Sequence, residues 1–516
     1  VGGPVVATRY GAVRGEVEDG IATFLGIPYA GPSAGVLRFF PPTPPEPWSG
    51  VLEAREPGPI APQPESLLGG YVPGDPRTQD EACCSLNVFS PGLAGRRPVL
   101  VFIHGGAFLI GGGGGVMYRA EALARRGVVV VTFNYRLGAL GFLAHRELAA
   151  PDGTFANWGV LDQIAALEFV RDHIASFGGD PSNVTLFGES AGAMSTADLL
   201  TSPRAVGLFR RAILESGAAT AMRVATAEEN AIRFVRALGM DAVDRDALSR
   251  APVADLLDAQ AALLGDLGVG ASMPFQPVVD GRVLPDDPSG VLGAGGGNAE
   301  ALLIGTNRDE FRFFTIGQRR LDDLADGDLA PFVAPYLPTG YAETALSVIA
   351  AYRSIAEHRG DEPSARALFE SIAGDAVFWA PALHCARASA PVRPTFSYRF
   401  DWESPFMGGA LGACHGLELP FVFGTHANAF VGLFSGTGPE ADALVDAVQS
   451  AWVAFATDGH PGQIGDIRWP EYTAPSFSTV IFDRERTVVE DPRAEEWELW
   501  EAMLDHYGEA GAAPGT

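Results

Sequence analysis

The sequence predicts an α/β protein, a mostly parallel central sheet wrapped by helices, and three observations predict it. Short β-branched runs alternate with helical patterns through the first half, the signature of a parallel sheet covered on both faces. Of the 516 residues 47% are hydrophobic and 19% charged, enough apolar material for a large core. Gly (63) and Pro (39) are frequent, so the chain turns often and does not run in long helices.

In chain order, Pro98–Ile103 (PVLVFI) and Val128–Asn134 (VVVVTFN) read as buried strands, being continuous apolar runs of strand length. Asp162–Ile174 carries apolar residues at helical spacing. Asn183–Phe187 and Arg211–Leu214 are the next strands, with a helical stretch at Ala193–Leu200 between them. Ala301–Ile304 and Thr395–Phe400 follow. The intervals 225–265 and 317–388 read as helical insertions over the sheet, leaving a single catalytic domain over residues 1–516. Pro/Gly-rich stretches at 57–76 and 288–298 are expected to be loops. Glu490–Asp505, with Trp497 and Trp500, predicts an amphipathic C-terminal helix packed on the body.

All 36 basic residues are arginine, set against 63 acids, for a formal charge of −27. Phosphate backbones and anionic lipid would repel such a chain, which excludes nucleic acid as a partner. No apolar run approaches the length of a spanning helix, so no membrane insertion is expected. Cys83, Cys84, Cys385 and Cys414 form neither a disulfide framework nor a zinc spacing, and buried thiols with no metal are expected. Val1–Arg14 has no signal-peptide order, so the expected location is cytoplasmic. A start at Val1 leaves a processed, secreted form open.

Gly188-Glu189-Ser190-Ala191-Gly192 matches G-x-S-x-G, in which the serine occupies a strained strand-to-helix turn with its hydroxyl exposed. A second match, Gly31-Pro32-Ser33-Ala34-Gly35, is a decoy. Ser190 follows the strand-like NVTLF and precedes the helix-compatible AMSTADLL, whereas Ser33 sits among prolines with no helix to enter. After PVLVFI comes His104-Gly105-Gly106-Ala107-Phe108, a small-residue turn able to present consecutive N–H groups to an oxyanion, with Ala191 N–H supplying another. His104 is read as a brace for that turn. Gly111–Gly115 lacks the Gly-Lys-Ser/Thr ending of a phosphate loop and is read as a mobile loop.

A base for Ser190 should lie further along. His358, His384, His415, His426 and His460 are candidates, with His506 in the C-terminal helix. His415 stands in a Gly-flanked loop after Thr395–Phe400, where an imidazole can swing toward a serine. The acid should follow a strand, and the segment after Ala301–Ile304 offers Asp309 and Glu310, between which residue chemistry does not choose. Cys414 as a nucleophile is the weaker alternative, because adjacent side chains in an extended loop point apart.

With these segments side by side, the chain resembles the type-B carboxylesterases, the cholinesterase-like branch of the α/β-hydrolases, and within them the bacterial p-nitrobenzyl-esterase-type enzymes. Phe24–Ala30 (FLGIPYA), Arg38-Phe39, Asn134-Tyr135-Arg136, Asp162-Gln163 and above all Phe177–Gly192 (FGGDPSNVTLFGESAG) carry the resemblance. It implies an α/β-hydrolase fold with the site at the bottom of a gorge, and a serine esterase with Ser190, Glu310 and His415 as its triad. Gly106, Ala107 and Ala191 are then the oxyanion donors, with Gly105 in the same turn. Glu189 becomes a supporting carboxylate, and Phe108, Trp158 and Phe311–Phe314, Phe311 and Phe314 among them, are expected to line the gorge. It implies a small-molecule ester as substrate, no cofactor, and a monomer or small homo-oligomer. Carbamate or amide hydrolysis by the same triad, and a non-catalytic binding module, are the alternatives.

The departures are specific. The family's acidic-Asp-Cys-Leu signature reads Glu81-Ala82-Cys83-Cys84-Ser85 here, and no cysteine precedes Cys83 to form the family's N-terminal disulfide. Choline recognition in the family uses a tryptophan before this signature, through cation–π contact. Pro59–Asp80 holds only Tyr71 as an aromatic, which argues against a cholinesterase. Phe311 stands where glycine is common after the acid, and is expected to narrow the site.

Overall fold

A computed structural model of the chain describes residues 2–64, 78–267, 273–337 and 344–510. Eleven strands form its main sheet: β1 (Glu16–Glu18), β2 (Ile21–Pro28), β3 (Ser85–Ser90), β4 (Arg97–Ile103), β5 (Val129–Phe133), β6 (Gly179–Glu189), β7 (Arg211–Glu215), β8 (Leu302–Asn307), β9 (Thr395–Phe400), β10 (Ser478–Phe482) and β11 (Thr487–Glu490). Their order across the sheet is β11-β10-β9-β8-β7-β6-β4-β5-β3-β2-β1. From β5 to β10 every pairing is parallel, and the pairings outside that run are antiparallel. This is the mostly parallel, helix-wrapped sheet that the sequence predicts.

Burial on both faces explains why β4 and β5 read as unbroken apolar runs. Successive side chains of a strand point to opposite faces. Val99, Val101 and Ile103 enter one core cluster with Val129, Val131 and Phe133. Leu100 and Phe102 enter the other, with Val128 and Val130. The first cluster is closed by α1 (Trp158–His173) and α2 (Ala191–Thr201), the second by Pro439–Asp458. Strands expected at Asn183–Phe187, Arg211–Leu214 and Ala301–Ile304 are present and run longer; Thr395–Phe400 has the expected bounds.

Among the described residues, the intervals 225–265 and 317–388 are helical, chiefly Val224–Ala237, Val253–Leu267, Ala345–His358 and Ala365–Gly374. The stretch 288–298 is not wholly loop. Asp287 accepts hydrogen bonds from Ser289 N and Gly290 N, and with Pro288 at the first helical position it starts a short helix, Pro288–Gly293. The loop expected at 57–76 is described as far as residue 64, and Tyr71 lies outside the described residues. The C-terminal helix runs Ala494–Ala510 and buries Trp497 and Trp500.

Two buried ion pairs fasten the loops around the sheet. Arg136 Nε and Nη2 each reach the Asp162 carboxylate at 2.7 Å, joining the end of β5 to α1. Arg38 grips Glu81 through Nε (2.5 Å) and Nη2 (2.8 Å), fixing the altered signature loop. All four cysteines are free and buried.

Candidate active site

Adjacent strands deliver the candidate residues to one edge of the sheet. β4 ends in the His104–Phe108 turn and β6, beside it, ends at Ser190. β8 ends just before Glu310, and the loop after its neighbour β9 leads to His415. Ligands in α/β sheets bind outside the carboxyl ends of the strands, because the loops there converge.

Ser190 sits at φ 57°, ψ −127°, between the last residue of β6 and the first of α2. For an L-residue that conformation is strained by on the order of 1–3 kcal/mol. It persists because Ser190 N donates to Glu215 O (2.9 Å) and Ser190 O accepts from Met194 N (2.9 Å). The flanking glycines serve close approach and not unusual dihedrals: neither has a positive φ. A Cβ on Gly192 would lie 1.9 Å from Ile103 O, and one on Gly188 would lie 2.4 Å from the Gly192 carbonyl. Ser33 instead donates to Glu81 O from an irregular loop, as its prolines suggested.

The turn after β4 is held by His104, whose Nδ1 lies 2.8 Å from Gly105 O and whose ring stacks on Tyr135 at 4.5 Å. Gly105 passes so close to the elbow that a Cβ there would meet Glu189 Oε2 at 2.7 Å and Ser190 Cβ at 2.9 Å. Three consecutive left-handed residues follow: Gly106 (φ 109°), Ala107 (φ 53°) and Phe108 (φ 59°). Among the described residues neither Gly106 N nor Ala107 N donates a backbone hydrogen bond. Ala191 N opens α2, where the first N–H groups of a helix have no partner within it. Gly105 on one side and Ala191 on the other adjoin Ser190, a Cβ on Gly105 falling 2.9 Å from Ser190 Cβ.

Glu310 and His415 meet across 105 residues of sequence, Nδ1 lying 2.6 Å from Oε2. Asn307 braces both loops: its N donates to Glu310 Oε1 (2.7 Å) and its Nδ2 donates to Cys414 O (2.7 Å). Asp309 turns away and pairs with Arg308 (2.8 Å) and Arg312 (3.3 Å). The geometry thus separates the two neighbours that residue chemistry left level. His415 Nε2 lies 3.0 Å from Glu189 Oε1, without the alignment of a hydrogen bond, and makes none to Ser190 Oγ. Burial lowers the imidazole's affinity for its proton, but Glu189 and Glu310 raise it by more, so the net direction is well above the usual histidine value.

The remaining candidates are elsewhere. His426 Nε2 is 2.7 Å from Asp442, His460 accepts from Gly462 N and abuts Phe396, and His384 stacks on Trp497. The Cys414 thiol is buried, and burial together with Glu310 and Glu418 pushes it well above the usual cysteine range, unlike a nucleophilic thiolate. Phe108 and Trp158 are fully buried, Phe108 edge-on to Phe142 and Trp158 Nε1 donating to Leu143 O. Phe311 packs into Tyr336 and Phe369, while Phe313 and Phe314 approach the His415 ring at 6.5 and 5.1 Å.

Sequence reasoning missed several groups. Phe378 lies closer to His415 than any other ring described, at 4.4 Å. Glu215 and Glu418 form, with Glu189 and Glu310, a buried carboxylate cluster. Burial and then the Glu189 and Glu310 charges push Glu418 up to about 8, and burial with Glu418 also raises Glu215 well above its ordinary range. A glutamate closing a central strand directly before Ser216-Gly217 was a usable signal for Glu215; three positions past His415, Glu418 gave none.

A sequence model of the Carboxylesterase family matches residues 2–500. The para-nitrobenzyl esterase of Bacillus subtilis (strain 168) is 39% identical over 95% of this chain and 97% of its own length. The phenmedipham hydrolase of Pseudarthrobacter oxydans is 36% identical over 93% of this chain and 94% of its own. Among solved structures a thermophilic PNB esterase superposes with a TM-score of 0.85 at 37% identity, covering 96% of this chain and 99% of that one. Similarity of this extent, with Ser190 on a strained strand-to-helix turn and Glu310 against His415, means that the chain belongs to the carboxylesterase family, has its α/β-hydrolase fold and is a carboxylic ester hydrolase.

Proposed function

We propose that Ser190, His415 and Glu310 are the triad of this esterase, and the observation that carries it is the 2.6 Å Glu310–His415 contact at the flank of the strained serine. Ser190 Oγ attacks the ester carbonyl carbon as its proton passes to His415 Nε2. The Nε2–Oγ hydrogen bond forms in the substrate complex, since such bonds are often long in the unliganded enzyme. Glu310 holds Nδ1–H and stabilises the imidazolium. Gly106, Ala107 and Ala191 N–H groups bind the oxyanion, a donor of this kind being worth about 3–4 kcal/mol in the transition state. Collapse expels the alkoxide, which takes the proton from Nε2. Water, deprotonated by the same nitrogen, then frees the acid.

Phe313, Phe314 and Phe378 give the His415 side of the site an apolar wall, so the substrate is a small ester with an apolar group there. The helical intervals share the core of the sheet, which supports one catalytic unit over 1–516. Four free, buried thiols fit a reducing compartment such as the cytoplasm.

An organophosphonate should label the native chain once, on the Ser190 peptide, and Ser190→Ala should lower p-nitrophenyl acetate turnover by about 10⁶. Labelling at another residue, or a loss below about tenfold, would remove Ser190 from the mechanism.

A further inference from the structure

The sheet fixes Ser190 through its own backbone, whereas on the base side Asn307 and Asp309 pin the loop at Cys414 and Ala413 and the imidazole itself is set by what packs on its ring. One turn of a distant helix packs on that ring and passes near the acid. Ala365–Gly374 and Ala380–Ser389 form one continuous helix interrupted by a π-helical turn, Asp375–Trp379. Such turns carry one extra residue, redirect the side chains after it, and are frequent at functional sites. Here Phe378 is turned onto the imidazole, ring centres 4.4 Å apart, and Phe314 stacks beside it at 5.9 Å, itself 5.1 Å from the imidazole. Gly374, just before the turn, passes near the acid, so that an added Cβ would stand 3.6 Å from Glu310 Cβ.

The turn is itself clamped from the C-terminal segment. Arg493 Nη1 and Nη2 each donate to the buried Asp375 carboxylate at 2.6 Å. The Tyr352 hydroxyl donates to Asp375 Oδ2 and accepts from Trp500 Nε1 at 2.6 Å. The Arg493 guanidinium also lies 4.4 Å over the ring of Trp379, the last residue of the turn. A buried ion pair is a poor device for stability alone, because desolvation offsets most of the attraction and apolar substitutes often do as well. Its directional, two-pronged geometry is what an apolar contact lacks.

We propose that Arg493 and Trp500 act as a clasp on the π-turn, so that Asp375 and Phe378 are positioning residues that set the His415 imidazole against Glu310. The inference rests on His415 being the base. It makes the C-terminal helix part of the catalytic geometry although it contributes no group to the reaction.

The test is the double variant Asp375→Asn/Arg493→Met, which removes both charges together and avoids an orphaned one. Turnover of p-nitrophenyl butyrate is measured per active site titrated with an organophosphonate. The expected result is a kcat about tenfold lower with KM within about twofold, the kind of loss a small misplacement produces. In a Phe378→Leu background the same lesion should cost less than about twofold, because the ring that transmits it is gone. An unchanged kcat per titrated site alongside a lower Tm, or losses that multiply in the combined variant, would overturn the proposal. If the double variant does not fold, Tyr352→Phe decides: a lowered kcat per site supports the clasp and native kcat overturns it. Failure of the triad reading is distinct, since His415→Ala would then retain turnover.

Discussion

The two flanks of the site are built by different means. On the nucleophile side geometry is set by main chain: Ser190 at φ 57°, the left-handed run Gly106–Phe108, and glycines at 105, 188 and 192 where a single methyl would collide with backbone. On the base side it is set by side chains: Asn307 bridging two loops, and Phe313, Phe314 and Phe378 around the imidazole. Backbone cannot be repacked, so the first flank is rigid and exacting. Side chains tolerate volume-conserving exchange, so the second is where relatives can diverge in substrate without losing the chemistry.

The largest break in that comparison comes from one oxygen on the base side. Glu310→Gln should lower kcat by about 10⁴, the cost of an imidazole in the wrong tautomer, while Asp309→Asn should stay within about fivefold of native. Steady-state rates on p-nitrophenyl acetate decide this, and the reverse ranking would return Asp309 as the acid. On the other flank Gly105→Ala places a methyl 2.7 Å from Glu189 Oε2 and 2.8 Å from Glu189 O. It should cost about 10²–10³ in kcat, comparable to losing a hole donor. A variant within about tenfold of native would show that flank to be more pliant than its main chain suggests.

Glu189 belongs to both flanks and sharpens the contrast through pH. The His415 proton is held by Glu189 and Glu310 against the opposing effect of burial, so the neutral base appears only above the usual histidine value. Glu189→Gln removes one of those charges, disfavours the imidazolium, and should move the acid limb of kcat/KM to lower pH. A limb that stays in place or moves up contradicts the 3.0 Å contact. The smallest effect is on stability. Glu418 is raised to about 8 by burial, then by Glu189 and Glu310, from an ordinary value of 4.5. Between those values the unfolded chain has released a proton that the folded chain keeps, so this carboxyl's contribution to stability is present below the lower value and lost as pH rises through the higher. Glu418→Gln cannot ionise, and its Tm relative to native should therefore climb from about pH 5 to about pH 8.5. A constant difference would place the Glu418 proton elsewhere.

What could be read in the amino-acid sequence follows the same division. The β4, β5 and β6 runs and the elbow of Ser190 are local, and strand length, β-branching and small residues mark them. β2 and β3 were not read as strands. Gly26 and Pro28 interrupt the pattern of β2, which carries a register shift between Phe24 and Ile27. In β3 the polar Asn87 is satisfied internally by Gly26 N and Thr132 Oγ1. Asp309 and Glu310 were inseparable because which carboxylate meets His415 is settled only in the folded loop, where Glu310 Oε1 accepts from Asn307 N and Asp309 Oδ2 accepts from Ala413 N. His415 needed the family resemblance. The π-turn has no sequence signal at all, since its extra residue is a matter of hydrogen-bond register and not of composition.

The arginine-only composition reaches into alkaline chemistry. The buried pairs Arg136–Asp162, Arg38–Glu81 and Arg493–Asp375 are all made by guanidinium groups. A lysine ammonium would begin to lose its proton near about pH 10, whereas guanidinium stays charged beyond about pH 12. On the proposed triad the imidazole works only when neutral, and the scaffold's internal fastenings survive the alkaline range in which it is most available.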